Sequence, residues 1–260
     1  MEISKEYEQK SAAKFALDTA IKSGCKGARI SLNINAQNSL SVRNKKLDRL
    51  HSATGSSLYI QLYVNDRYGS FSTNRIEKDE LDRFIKAGIE ATSYLESDIC
   101  RGLPDKNLCY KNDKTPLIQN DEAFNTIPAE IKKKIAFDSA AEILGKDTRL
   151  LTVSTEFSDS LDYFYMIDSQ GFSGESLQTY YSVNAECAVR GAGDARPEAW
   201  WYEASMFFNE LKITGVGEMA LKRALDRLNP KKKRTGKYNL VLENTVSSRL
   251  LSPIISALNG

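Results

Sequence analysis

The chain has 260 residues, of which 41% are hydrophobic and 27% charged, with a formal net charge of +2. This is globular composition, long enough for one large or two small cores, and the near-neutral balance gives no electrostatic footprint for direct nucleic-acid binding. The N-terminal MEISKEYEQK carries acids and no apolar stretch, which argues against a secretory signal, and no apolar run approaches the roughly 20 residues that span a bilayer.

Ser4 to Ser23 reads as a helix, with Ala13, Leu17, Ala20 and Ile21 on one face and Gly24 as its stop. Gly27 to Ala36 alternates Ile30, Leu32 and Ile34 against Arg29, Ser31 and Asn33, the pattern of a half-buried strand. Ser39 to Leu47 is a second strand after a turn at Asn38. Ser56 to Ser72 is a hairpin whose loop lies around Asn65 and Asp66. Glu77 to Leu95 is helical, since Leu81, Phe84, Ile85, Gly88 and Ile89 recur at helical spacing. Residues 98–125, with Pro104, Pro116 and no clear period, read as a long connection wrapping the first unit.

The order then returns. Pro128 opens a helix that carries Ile131 and Ile135 and stops at Gly145. Leu150 to Phe157 and Leu161 to Ile167 are strands, Asp168-Ser169-Gln170-Gly171 is a turn, and Leu177 to Val189 and Ala199 to Phe207 are two more strands. Leu221, Ala224, Leu225 and Leu228 make a helix ending at Asn229-Pro230. Helix, four strands, helix therefore occurs twice. The expected fold is α+β, with two related lobes (1–97 and 126–229), each an antiparallel sheet backed by helices, joined by 98–125. The basic run Lys231 to Arg234 opens a final segment, 230–260, and reads as a solvated linker. Within it Tyr238 to Glu243 alternates like a strand, and Asn244 or Thr245 can cap a following helix. Leu250, Leu251, Ile254, Ile255 and Leu258 form its apolar face. Pro253 is expected to interrupt it, with Ser252 capping a new start.

Few residues offer chemistry. Cys25, Cys100, Cys109 and Cys187 are far apart with no C-x-x-C pair, the pattern of free thiols in a cytoplasmic chain. His51 is the sole histidine, so a two-histidine metal site within the chain is impossible, and beside Arg49 it reads as a surface or hydrogen-bonded residue. Gly215-Val216-Gly217-Glu218-Met219-Ala220 fits G-x-G-x-x-(G/A), but no βαβ unit surrounds it, so it reads as a helix entry rather than a dinucleotide site. No nucleophile elbow or P-loop is present. Trp200 and Trp201 are strand neighbours and must face opposite sides. One is expected in the core and the other exposed or at an interface with a partner or peptide.

Several blocks together resemble the TldD/PmbA family, long labelled "modulator of DNA gyrase". They are GARISL, VRNKKL (Val42 to Leu47), Gly55, NDRYGSFSTNRI (Asn65 to Ile76), the IDSQG turn (Ile167 to Gly171) and ALDRLNPKKKRTGKYNLVLEN before the final helix. The resemblance covers essentially the whole chain, and the family continues past Gly260 into a second, β-rich half, of which 230–260 is the expected start. It implies more. TldD-type members are zinc peptidases with H-E-x-x-x-H after a Leu-Leu pair. Here Leu250-Leu251 is followed by SPIISA, so Ser252 and Ser256 stand for the histidines and Pro253 for the glutamate. The resemblance thus implies a PmbA/TldE-type chain without catalytic, cofactor or metal residues of its own. Its partner would be a TldD-type subunit that holds the zinc, or a second copy, and the substrate unfolded peptides. The alternative is a gyrase modulator that acts by protein–protein interaction without proteolysis.

Overall fold

An alanine stripe sets the first helix against a sheet, and the same device of small residues under helices recurs through the fold. The structure, a computed structural model, describes residues 3–111 and 117–258, with side chains from residue 8 onward. In order the elements are α1 (Ile3–Lys22), β1 (Gly27–Arg43), β2 (Lys46–Val64), β3 (Arg67–Thr73), α2 (Lys78–Ser93), α3 (Ala129–Ala141), β4 (Leu150–Asp168), β5 (Ser173–Val189), β6 (Glu198–Ser205), α4 (Val216–Asp226) and α5 (Ser248–Leu258). Residues up to Leu228 form one compact unit, and the chain from Asn229 onward a second.

The fold is α+β and its sheet is antiparallel throughout. The two expected sheets are the two halves of one six-stranded sheet, ordered β3-β2-β1-β4-β5-β6. They join where β1 pairs with β4, from Arg29↔Asp168 to Arg43↔Ser154. Each half contributes three strands, not four, because the chain neither turns at Asn38 nor breaks between Phe157 and Leu161. Asn38 sits in the middle of β1, paired with Ser52 on one side and Asp159 on the other. Its amide donates to Asp159 Oδ1 at 2.8 Å and its carbonyl accepts from Ser52 Oγ. A residue favoured in turns is here a rung between strands. The real turn is Asn44-Lys45, both with positive φ, the two-residue type that matches strand twist. Likewise β4 runs unbroken through Ser158, whose hydroxyl bonds Ser182.

Helices α1 to α4 lie on one face of the sheet, because strand residues of one parity are apolar. Two adjoining cores result. In the first, Ala12, Ala13, Ala16 and Ala20 of α1 and Leu81 and Ile85 of α2 cover Ile30, Leu32, Leu58, Ile60 and Leu62. In the second, α3 and α4 cover Val153, Phe157, Tyr181, Val183 and Ala185. Small residues permit the close approaches. A methyl group at Gly69 would overlap Thr92 of α2, and one at Gly217 would overlap the Ser139 carbonyl of α3.

The connection begins on the first half and ends on the second. Asp98 N–H donates to the Asp66 carbonyl, while Thr179 N–H of β5 donates to Gln119 O and Asp121 Oδ2 accepts from Phe208 N–H. Pro116, one of the prolines by which it was read, lies outside the described residues. In the final segment Tyr238 to Glu243 is not a strand. Alternation alone makes none without a neighbour to complete the ladder, and Tyr238, Leu240 and Val241 are exposed. Instead of breaking, α5 runs through Pro253. The missing N–H deprives only the Arg249 carbonyl, in the water-exposed first turn.

Candidate functional site

α5 carries the positions at which the metal-site question turns, with one correction: H-E-x-x-x-H spans six residues, so counted from Ser252 its second histidine falls on Ala257 and not on Ser256. Ser252 and Ser256 are one helical turn apart and share a face, opposite the stripe formed by Leu250, Leu251, Ile254, Ile255 and Leu258, which is itself exposed. What α5 offers there is two hydroxyls and a proline ring. Zinc sites are built from imidazole, thiolate and carboxylate, so this donor set does not fit the metal. Among the described residues no cluster of His, Cys, Asp and Glu is placed to hold a metal ion. His51 is exposed on β2, opposite Ser39 of β1.

β6 places the tryptophans on opposite faces, as alternation requires. Trp201 packs partly buried against the second core. The Arg223 guanidinium of α4 lies 4.3 Å from its ring centroid, and its indole N–H donates to Glu203 Oε1 at 3.0 Å. Trp200 is 42% exposed on the helix-free face, beside Tyr202 at 5.7 Å between centroids. The two residues are not parts of one site.

Two of the motifs prove to be architectural. Asp168 of the IDSQG turn is buried, and its Oδ1 accepts from the backbone N–H of Gln170 and Phe172 at 2.9 and 3.1 Å. Its Oδ2 faces Arg29, and Ser169 exchanges bonds with Ala28, so this turn locks β4 to β1. In the G-x-G-x-x-A segment Gly215 has φ +80°. The Glu142 carboxylate accepts from Gly215 N–H and Gly217 N–H, each at 2.8 Å. The amide nest that would cradle a phosphate in a dinucleotide enzyme is filled by the protein's own side chain.

A polar cluster that no motif announced borders a cavity of about 650 Å3, lined by Lys10, Lys14, Tyr110, Gln119, Tyr165 and Glu175 among others. Lys10 Nζ lies 2.6 Å from Glu175 Oε2, which also accepts from the Tyr163 hydroxyl at 2.5 Å. These bonds, first that from Lys10 and then that from Tyr163, hold the Glu175 carboxyl below its usual range. Burial, and then the bond to Glu175, pushes the Tyr163 phenol up, so it stays a donor. Nothing in the sequence could pair Lys10 with Glu175, since only the fold brings α1 over β5.

Comparison with known proteins agrees with this architecture. Residues 28–92 match the family model "PmbA/TldA metallopeptidase domain 1", and residues 122–228 match "PmbA/TldA metallopeptidase central domain". Among curated proteins, the chain is 24% identical over 98% of its length to a metalloprotease PmbA homolog of Haemophilus influenzae. It is 26% identical over 99% of its length to metalloprotease PmbA of Escherichia coli. The matched regions are 56% and 58% of those relatives, so the chain spans little more than half their length. A crystal structure titled putative modulator of DNA gyrase, from Bacteroides thetaiotaomicron, superposes with a TM-score of 0.92 at 43% identity, covering 96% of this chain and 56% of that one. TldE from Thermococcus kodakarensis, with a TM-score of 0.69 at 15% identity over 82% of this chain and 47% of its own, shares the fold. With both domain models in sequence order over its single sheet, the chain belongs to the PmbA/TldD metallopeptidase family.

Proposed function

We propose that this chain is the non-catalytic side of a two-subunit zinc metallopeptidase that degrades unfolded peptides in the cytoplasm. The observation that carries the reading is the donor-poor surface of α5, where the resemblance aligns Ser252, Pro253 and Ala257 with the fixed positions of the family's H-E-x-x-x-H. Serine hydroxyls are poor zinc ligands at neutral pH and proline cannot relay a proton. The metal and its base then belong to a TldD-type partner, and this chain supplies surface that completes an enclosed site. Enclosure restricts cleavage to extended chains, because a folded domain cannot enter. Among the described residues no helix is long and apolar enough to cross a membrane.

The test is an unstructured peptide incubated with the full-length form of this protein, with a zinc-motif relative from the same host, and with both. Cleavage by the mixture alone, abolished by chelator, is the expected result. Chelator-sensitive cleavage by this protein alone overturns the assignment. Altered gyrase supercoiling without any peptidase activity in the mixture would favour the alternative, a modulator acting by contact.

A further inference from the structure

The sheet is not closed along all of β2. Its partner β3 covers only Leu58–Val64, while Lys46–Ser57 pairs with β1 on one side and, among the described residues, with no strand on the other. No backbone hydrogen bond links this stretch to any other described segment, and every residue from Lys46 to Gly55 is exposed. An edge this long and open is unusual, because unpaired N–H and C=O groups template the addition of another strand. The other two edges are shorter, eight residues in β6 and seven in β3, and the Glu198 carbonyl of β6 is occupied by Arg227.

The side chains beside this edge are patterned. On the helix-bearing face one row crosses the sheet through Leu50, Leu40, Phe157 and Val183. Their exposures fall from 71% at Leu50 to 7%, 1% and 0%. Leu50 is the uncovered end of a buried row. Beside it is a cavity of about 270 Å3 bordered by Leu40, Leu50, Phe157, Ile127 just before α3 and Ala129 at its start. A strand added to β2 would place one side chain opposite Leu50, at ≈ 4.5–5.5 Å between Cβ atoms, over that cavity. The hairpin tip carries Arg43, Lys45, Lys46 and Arg49 with one acid, Asp48, and Arg43 and Arg49 also line a cavity with Glu156, Glu186 and Glu198 of the neighbouring strands. Among the described residues none of these four cations is in an ion pair.

We infer that the free edge of β2, Lys46–Ser57, is a strand-addition site for an extended polypeptide with an apolar residue opposite Leu50 and acidic residues toward the hairpin tip. Backbone bonds supply the general affinity, and the Leu50 cavity and the cations set the register. The inference locates the peptide-holding surface of the function proposed above and rests on that reading only for the kind of ligand. Binding is read without any catalytic partner, so it stands or falls separately from cleavage.

The probe is a fluorescein-labelled, blocked peptide, Thr-Val-Thr-Leu-Glu-Thr-Glu, which in antiparallel register sets its leucine opposite Leu50 and a glutamate opposite Arg49. Anisotropy should show saturable binding that Leu50→Lys weakens at least about tenfold. The thermal midpoint should not move, since the side chain is exposed. N-methylation of alternate peptide nitrogens in either phase tests the backbone. One phase should abolish binding and the other leave it. On hydrogen exchange, alternate amides of 46–57 should exchange quickly in the free protein and slow when the peptide is added. The site is overturned by equal binding of both N-methylated peptides, by equal binding to the Leu50→Lys variant, or by amides already protected without peptide, which would mean the edge is filled by the protein itself or by a second copy. Displacement of the peptide by an oligonucleotide that leaves these amides unprotected would assign the cations to nucleic acid and equally overturn it.

Discussion

The two halves of the sheet repeat one plan with different chemistry. In the first, aliphatic side chains of β1 and β2 meet an alanine stripe and two large apolar residues of α2, and the polar residues buried in its helices, Gln9, Thr19 and Thr92, are uncharged. In the second, Phe157, Tyr181, Phe124 and Phe208 form a chain of aromatic contacts. Beside them Asp159, fully buried, is held by Lys132 Nζ at 2.6 Å and by the Asn38 amide. Glu142 clamps α4 by two backbone amides. Shape and volume suffice for the first half, so hydrophobic exchanges of similar size should be tolerated there. The second half also relies on buried polar partners, which tolerate little change once one is removed.

The largest expected effect tests whether the halves are independent at all. Each core holds one cysteine, Cys25 in the first and Cys187 in the second, while Cys100 and Cys109 lie in the connection. Burial pushes both core thiols up to about 11, so at pH 8 little thiolate forms even where reagent arrives. Cys100 should react with a disulfide reagent at least about a hundredfold faster than either core thiol. Raised denaturant should release Cys25 and Cys187 at one common midpoint, as the continuous β1–β4 ladder requires. Two separated midpoints would show the halves to be separate folding units.

Next is Lys132→Met. It strands the Asp159 carboxylate in the interior and should cost about 3 kcal/mol in chemical denaturation. Adding Asp159→Leu should recover most of the loss, since the cost is that of an unpaired charge. A stability unchanged by Lys132→Met would erase the contrast between the halves. The tight glycines sharpen it at smaller scale. Gly217→Ala should cost about 2 kcal/mol with no simple rescue, because the obstacle is the Ser139 backbone carbonyl. Gly69→Ala should cost a similar amount, largely restored by Thr92→Ala, because there the main obstacle is the Thr92 side chain. The smallest effect is a gain. Lys45 has φ +74° in the β1–β2 turn, so Lys45→Gly should stabilise by about 0.5 kcal/mol, read as a small rise in thermal midpoint.

Much of this was legible because period carries burial. The even residues Ile30, Leu32 and Ile34 are core-facing as their alternation states, and α2 buries Leu81, Ile85 and Gly88 on the expected face. Asn38 misled because turn propensity is local, whereas its use here depends on Asp159, a residue 121 positions away. The merging of two sheets into one was invisible for the same reason, since β1 gives no sign of which strand will take its second edge. At the site, the opposite facing of Trp200 and Trp201 follows from alternation alone, while the Arg223 stack needs the fold. The open edge of β2 could not be read either, because it depends on β3 being seven residues long against a strand of nineteen.

The seam between the halves also has a consequence in time. β1 is complete at Arg43, but its partner β4 ends at Asp168, about 125 residues later. At a synthesis rate of about 5–20 residues per second, a nascent chain waits roughly 6–25 s for the second edge of its central strand. For that interval the hairpin of β1 and β2 presents an uncovered ladder on the ribosome. Closing it joins residues far apart in sequence, the slow kind of contact. The lag makes the first half the stretch most in need of a holding chaperone during synthesis, and links yield of the protein to translation speed between Asn44 and Asp168.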